Sequence, residues 1–267
     1  MILQKFNNLL LHSIFIKNKE KIYNNLIMSL VEEKIINIYK YYKKYNKKII
    51  IFLKNYYNNI YNNIYSKLEN KIIIYRTSIK KSLKLKNEYL LPSSYKINYI
   101  NNIFLEKTEK PKIGFCGYIG VSPHRLKIIK KLKNNNNYIV NIILREKWGG
   151  LEISDEKRKL EYFRNIDDNH FTLCFNGAGN FSFRFYEVLA RGRIPILLNT
   201  DNILPFEEEI DYSKHIVVSD NLDDIPNKII NFYNKMDIIE IQKNNKILFD
   251  KYFRNENLTT KLITYLD

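Results

Sequence analysis

Glycine is missing from the first 113 residues and the last 75 of this 267-residue chain; all eight glycines lie between Gly114 and Gly192. Where Gly is this scarce, each survivor marks a place that does not tolerate a Cβ, at positive φ or against a ligand. Cysteine is limited to Cys116 and Cys174, both in apolar runs that read as buried strands. That excludes a disulfide framework and favours two small core thiols. There is no CxxC and no His/Cys cluster, and His12, His124, His170 and His215 are scattered, so no structural zinc site is expected. Long apolar runs are absent too. The opening Met1–Ile16 is interrupted by Gln4, Lys5, Asn7, Asn8 and His12, well short of the roughly 18 apolar residues of a membrane span. Neither a signal peptide nor a transmembrane anchor is expected, which leaves a cytoplasmic or peripheral-membrane location.

What is present divides the chain in two. Residues 1–110 hold 21 Lys and Arg against 7 Asp and Glu, a net of +14 out of the chain's +16, and residues 111–267 carry only +2. The basic, Lys/Tyr-rich part can contact an anionic membrane surface or nucleic acid, although no specific nucleic-acid partner is expected. Six of the nine arginines (Arg145, Arg158, Arg164, Arg184, Arg191 and Arg193) fall in the middle of the chain, where Lys is otherwise the default cation. A planar fork suited to phosphate or carboxylate accounts for that choice.

Apolar spacing predicts long helices from Asn18 to about Leu68, then a strand at Lys71–Arg76 and a buried turn or strand end at Glu88–Tyr95. Beyond Pro111 the pattern alternates. Strands are predicted at 112–116, 138–144, 170–175, 194–199 and 215–218, with helices at 123–133, 155–165, 180–190, 221–233, 238–253 and 258–266. This is an α/β pattern, a Rossmann-type parallel sheet with helices on both faces, preceded by a shorter helix-rich part. The expected division is a basic, helix-rich region at 1–109 and a Rossmann-type domain with C-terminal helices at 110–267.

The segment Phe171–Phe206 carries the chemistry. A strand runs into Asn176-Gly177-Ala178-Gly179, and Asn180 or Ser182 can cap the helix that follows, whose free N–H groups attract anions. At 100° per residue, Asn180, Arg184, Glu187 and Arg191 share one face, away from Phe185, Val188 and Leu189. A guanidinium there can pair with phosphate and a carboxylate can accept from hydroxyls. Helical spacing alone favours the simpler reading, in which Arg184 and Glu187 form a solvated i,i+3 ion pair.

These residues resemble the exostosin family of glycosyltransferases. The resemblance rests on Cys174, Gly177, Gly179, Asn180, Ser182, Arg184, Phe185, Tyr186 and Glu187, then Gly192-Arg193-Ile194-Pro195, then Thr200-Asp201 and Leu204-Pro205-Phe206. It extends upstream to Ile113–Tyr118, Arg125 and Arg145 and covers about 140 residues. Asn176 stands where the family commonly has Arg. The resemblance implies a GT-B fold, a nucleotide-sugar donor that is a UDP-sugar, a glycan or glycoconjugate acceptor, and inversion at the anomeric carbon. It implies no cofactor and no metal, in keeping with the lack of an Asp-x-Asp triplet. Donor contacts are expected from Arg125, Arg145, Asn176, Gly177, Ala178, Gly179, Asn180, Ser182, Arg184, Glu187 and Asp201, with Arg184 stabilising the leaving group. The general base is not assignable, with Glu69, Glu88, His124 and others open. A family member that binds donor without turnover is the alternative.

Overall fold

The computed structural model describes residues 26–29, 49–53, 72–92, 103–120, 122–146, 156–177, 179–255, 257–258 and 261. Two separate sheets are built from them, and both are wholly parallel. The first runs β1 (Leu26–Ser29), β2 (Ile49–Leu53), β3 (Ile72–Arg76) and β4 (Glu88–Leu90) in chain order. β1 and β2 fall inside the stretch expected to be helical. Ile49-Ile50-Ile51 is a β-branched run, stiff at χ1 and suited to a pleated surface, and it pairs in register with Ile72, Ile73 and Ile74. Every residue of β3 is buried, as in a strand covered on both faces. The rest of the helical reading over 18–68 lies outside the described residues, as does most of the helix expected at 258–266.

The second sheet has the order β6-β5-β7-β8-β9. Its strands are β5 (Lys112–Tyr118), β6 (Ile139–Arg145), β7 (Phe171–Leu173), β8 (Ile194–Leu198) and β9 (Val217–Ser219), each within a few residues of its expected place. Between and after them come α1 (Pro123–Lys133), α2 (Glu156–Asp167), α3 (Arg184–Ala190), α4 (Ile225–Lys235) and α5 (Ile238–Tyr252). Alternate residues face opposite ways along each strand. Ile113, Phe115, Phe171, Leu173, Ile194 and Ile196 pack with Ile128, Ile129 and Leu132 of α1 and Ile229 and Tyr233 of α4. Cys174 and Leu197 belong to a second cluster with Phe185, Val188 and Leu189 of α3 and Phe249 and Tyr252 of α5. That second cluster also takes in Ile73, Tyr75 and Leu91, so one apolar core joins the two sheets.

From β5 the chain first adds β6 on one side, then returns to add β7 on the other. The reversal makes the β5/β7 boundary a topological switch point, and in such sheets ligands collect outside the carboxyl ends of the strands there. At the opposite, amino end, residues 103–110 are tied down by side chains. Arg193 Nη2 donates to Ile103 O (2.9 Å), Gln242 exchanges bonds with Leu105 N and O (2.9 and 2.8 Å), and Tyr233 Oη accepts from Thr108 N (2.7 Å).

Candidate active site

Two arginines converge on the switch point. Arg184 opens α3, and its guanidinium reaches back across the sheet. Nη2 donates to Cys116 O of β5 (2.6 Å), Nη1 to Leu173 O of β7 (3.2 Å) and Nε to the Tyr162 hydroxyl of α2 (3.2 Å). Arg125 comes from α1, donating from Nη1 to Tyr118 O (2.6 Å) and from Nη2 to Phe175 O (3.1 Å). Both cations lie against the ring of Phe115, at 4.5 Å for Arg184 and 5.6 Å for Arg125. Each is at least nine-tenths buried.

The local sequence builds this arrangement. Gly117, the next-to-last residue of β5, has no side chain, and a Cβ there would stand 2.8 Å from Arg184 Nη2. Pro123 starts α1 and presets its first turn, so Arg125 follows directly on the strand end. Behind α3, Gly192 takes φ +67°, with Gly192 N bonded to Leu189 O and Arg193 N to Val188 O, both 2.9 Å. This Schellman closure fixes where the helix stops.

The charge is poorly balanced. Burial of cations in low dielectric disfavours the charged form, and burial, then the neighbouring Arg184, pushes Arg125 down to about 10. Burial alone would lower Arg184 too, but Tyr162 and Cys174 outweigh it and the net direction is up. Glu187 is the nearby anion. Its carboxylate accepts from the Tyr162 hydroxyl, and burial pushes the carboxyl up against the opposing pull of Tyr162, Arg184 and Arg191. Donors remain to spare. A guanidinium has five N–H groups; Arg184 uses three on protein atoms, and the buried Nε of Arg125 has no partner. Unused donors on buried cations at a strand end suit an anionic ligand with several acceptor oxygens.

The other expected residues separate into groups. Asn176 accepts from Ser122 Oγ (3.2 Å) and Gly177 stands beside Arg125, so both border the two cations. Ser182 does not act as the cap residue of α3, which begins after Phe183, but its Oγ receives Arg184 N at 3.4 Å. Asn180 is not a cap either; its Oδ1 accepts from Thr200 Oγ1 (2.6 Å) and ties the loop to the end of β8. Arg145 pairs with Glu161 and donates to Cys116 Sγ at 3.6 Å. It lines an open cleft of about 920 Å³ along β6 and α2 that contains none of the other expected donor residues.

Asp201 lies away from the two cations in its bonding. At φ +64° it turns its carboxylate to Ser82 N (3.2 Å) and Ser82 Oγ, while its carbonyl accepts from Lys81 N (2.8 Å). It joins the short 3₁₀ turn Lys81–Leu83 to the second sheet. Ala178 lies outside the described residues.

The four-residue face expected from Asn180 to Arg191 does not form, because α3 begins only at Arg184 and Asn180 lies outside it; Arg184 and Glu187 remain on the helix, and they are interior. All seven residues of α3 are buried. Arg184 and Glu187 meet through Tyr162, and Arg191 pairs with Asp167 (2.6 Å) over the ring of Phe163 (4.2 Å). The solvated ion pair is thereby set aside. Of the candidate bases, Glu88 is occupied by Arg76 and by Leu85 N (3.2 Å), and Glu69 lies outside the described residues. Tyr162, Phe115 and Gly117 are not among the donor contacts expected from sequence; Phe115 and Gly117 lie in the Ile113–Tyr118 run of the resemblance, and Tyr162 carries no such signal.

Residues 119–235 match the family model of the Exostosin GT47 domain. The chain is exostosin-like. It is 29% identical over 104 residues to the Exostosin-1 homolog of Caenorhabditis elegans, an alignment covering 38% of this chain and 27% of that protein. Among solved structures, the sucrose-phosphate synthase of Thermosynechococcus elongatus superposes with a TM-score of 0.57 at 10% identity, covering 95% of this chain and 75% of that one. The pneumococcal O-GlcNAc transferase GtfA, solved with UDP and GlcNAc, gives 0.50 at 12%, covering 94% and 59%. The fold of this exostosin-like chain is therefore GT-B, the glycosyltransferase architecture of two facing parallel sheets. This chain thus spans well under two thirds of the Exostosin-1 homolog's length. No helix among the described residues is long and apolar enough to cross a membrane.

Proposed function

We propose that this protein transfers a sugar from a UDP-sugar to a hydroxyl of a glycan or glycoconjugate, with the donor diphosphate seated on Arg125 and Arg184. The observation that carries the reading is the pair of buried guanidiniums with unused N–H groups at the carboxyl ends of β5 and β7. The exostosin-type match and the UDP in the GtfA relative supply the nucleotide.

As the glycosidic bond to the departing diphosphate breaks, negative charge builds on the phosphate oxygens. Preorganised cations in a dry site stabilise that charge without reorganising, which is where electrostatic catalysis is largest. Asn176 and the Gly177–Gly179 loop border the phosphates, and residues 110–267 form the donor unit, with 1–109 on the acceptor side. The basic first part offers contact with an anionic membrane surface. In this reading transfer inverts the anomeric centre and needs no metal.

Calorimetry with UDP and UDP-sugars tests it directly. Wild type should bind UDP, and Arg184→Ala should weaken that binding by about 1.5–3 kcal/mol, the range for hydrogen bonds to charged groups. Equal UDP affinity in both proteins would withdraw the site. UDP binding with no transfer to any hydroxyl acceptor would leave a nucleotide-sugar-binding protein without turnover, and product configuration by NMR in the presence of a chelator decides inversion and metal need.

A further inference from the structure

Tyr162 of α2 belongs to none of the motif residues above, yet it is the only side chain that touches both Arg184 and Glu187 among the bonds of the described residues. The chemistry fixes the direction of each bond. Arg184 Nε–H can only donate, so the phenol oxygen accepts there, and its single proton goes to the Glu187 carboxylate. The phenol thus relays the carboxylate's charge to the guanidinium without direct contact between the two. Burial, then the Glu187 charge, hold the Tyr162 hydroxyl well above its ordinary range, so the proton stays on it.

Spacing explains why a relay is needed. Arg184 and Glu187 are three residues apart on one helix, a separation at which the two side chains ordinarily meet. A direct pair would draw the guanidinium toward its own helix and off Cys116 O and Leu173 O. With the phenol interposed, Nε is occupied from the α2 side while Nη1 and Nη2 each make one bond to a strand-end carbonyl. One N–H remains on each terminal nitrogen.

We infer that Tyr162 is a positioning residue, holding the Arg184 guanidinium in the orientation that presents its two terminal nitrogens to the donor diphosphate. This rests on the proposed donor site. Removing the hydroxyl releases Nε and leaves Glu187 without its donor, so the guanidinium collapses onto Glu187.

The test compares wild type, Tyr162→Phe and Arg184→Ala against UDP and uridine by calorimetry, with the Arg Nε–H signal of Arg184 followed by NMR. Tyr162→Phe should lower UDP affinity about tenfold, equivalent to ~1.4 kcal/mol, leave uridine affinity unchanged and shift or broaden the Nε–H signal. A purely structural tyrosine would lower thermal stability and leave the ratio of UDP to uridine affinity as it was, and that outcome overturns the inference while the donor site stands. Should Tyr162→Phe prove too unstable to titrate, Glu187→Gln removes the charge at the far end of the relay. It should lower the same ratio, and an unaltered ratio overturns the relay. If wild type shows no preference for UDP over uridine, the donor reading itself fails and the role of Tyr162 falls with it.

Discussion

Arg193 and Arg184 are both buried arginines on the second sheet, at opposite ends of it. Arg193 makes five bonds: Nε to Asp167 O (3.0 Å), Nη1 to Arg191 O (3.3 Å) and Gln242 Oε1 (2.9 Å), and Nη2 to Ile103 O (2.9 Å) and Asp167 O (2.7 Å). All five donors are spent on protein. Arg184 spends three, and Arg125 two. Burial pushes Arg193 and Arg125 alike down to about 10, so desolvation does not separate them. Saturation does. A saturated cation holds the fold, and an unsaturated one waits for a ligand.

The largest effect expected from that contrast is on folding at the amino end. Arg193→Ala strips partners from Gln242 and three carbonyls and should cost about 3–5 kcal/mol in chemical denaturation, as breaking buried charged networks does. UDP affinity of the folded protein should stay at the wild-type value. A drop as large as that of Arg184→Ala would erase the distinction between the two ends.

At the carboxyl end the sign should reverse. Arg125→Met removes a buried charge whose Nε has no partner and replaces it with a side chain of similar length. Relief of the buried charge offsets the loss of the bonds to Tyr118 O and Phe175 O. Stability should hold or rise while UDP binding weakens by about 1.5–3 kcal/mol. Loss of stability without loss of binding would assign Arg125 to the framework.

A finer comparison uses two glycines. A Cβ on Gly117 would meet Arg184 Nη2 at 2.8 Å, whereas one on Gly177 would meet Arg125 Nη2 at 3.6 Å, an ordinary contact. Gly117→Ala should displace the guanidinium and weaken UDP binding several-fold. Gly177→Ala should weaken it less, because its Cβ meets only an ordinary contact and the loop borders the phosphates through its backbone, and equal losses would show that the clash with Arg184 does not set the effect.

The second sheet was legible because each strand is a short apolar run bounded by turn residues, and the periods of strand and helix alternate. In the first sheet β3 was legible as the apolar run Lys71–Arg76, but β1 and β2 were not, because Lys/Asn/Tyr/Ile repeats match helical spacing as readily as a parallel strand, and only the pairing of β1 with β2 and of β2 with β3 distinguishes them. The motif singled out Arg125, Arg184 and Glu187, and the structure brings the two arginines together on Phe115. The burial of Arg184 and Glu187 was not legible, since a helical projection gives the face a residue occupies but not that Tyr162 of α2 lies against it. Asp201 illustrates another limit: its backbone is left-handed, and its partner Ser82 lies 119 residues away in sequence, with Lys81 next to it. Tyr162 sits on α2 with no local signal separating it from the chain's other tyrosines.

The smallest effect concerns His170, which helps seat residues 103–112 at the saturated end. Its Nδ1 accepts from Lys112 N (3.1 Å) and its Nε2 lies 2.9 Å from Glu106 O, so Nε2 carries the hydrogen of a neutral ring. Protonation would set an N–H against the Lys112 N–H. Burial lowers its pKa, the Glu106 carbonyl opposes that, and the charges of Lys112 and Arg193 add to the lowering. Because the folded value lies below the ordinary 6.5, the unfolded chain binds more protons as pH falls past that point, and stability is lost from about 6.5 downward to the folded value. The slope contributed by one such group is at most about 1.4 kcal/mol per pH unit. His170→Gln keeps an acceptor and a donor but does not titrate. Denaturation midpoints at pH 7.5 and 5.5 should therefore converge in the variant relative to wild type, with UDP affinity the same in both proteins. An equal fall in the two would show that the imidazole adds nothing to the acid sensitivity of this end of the sheet.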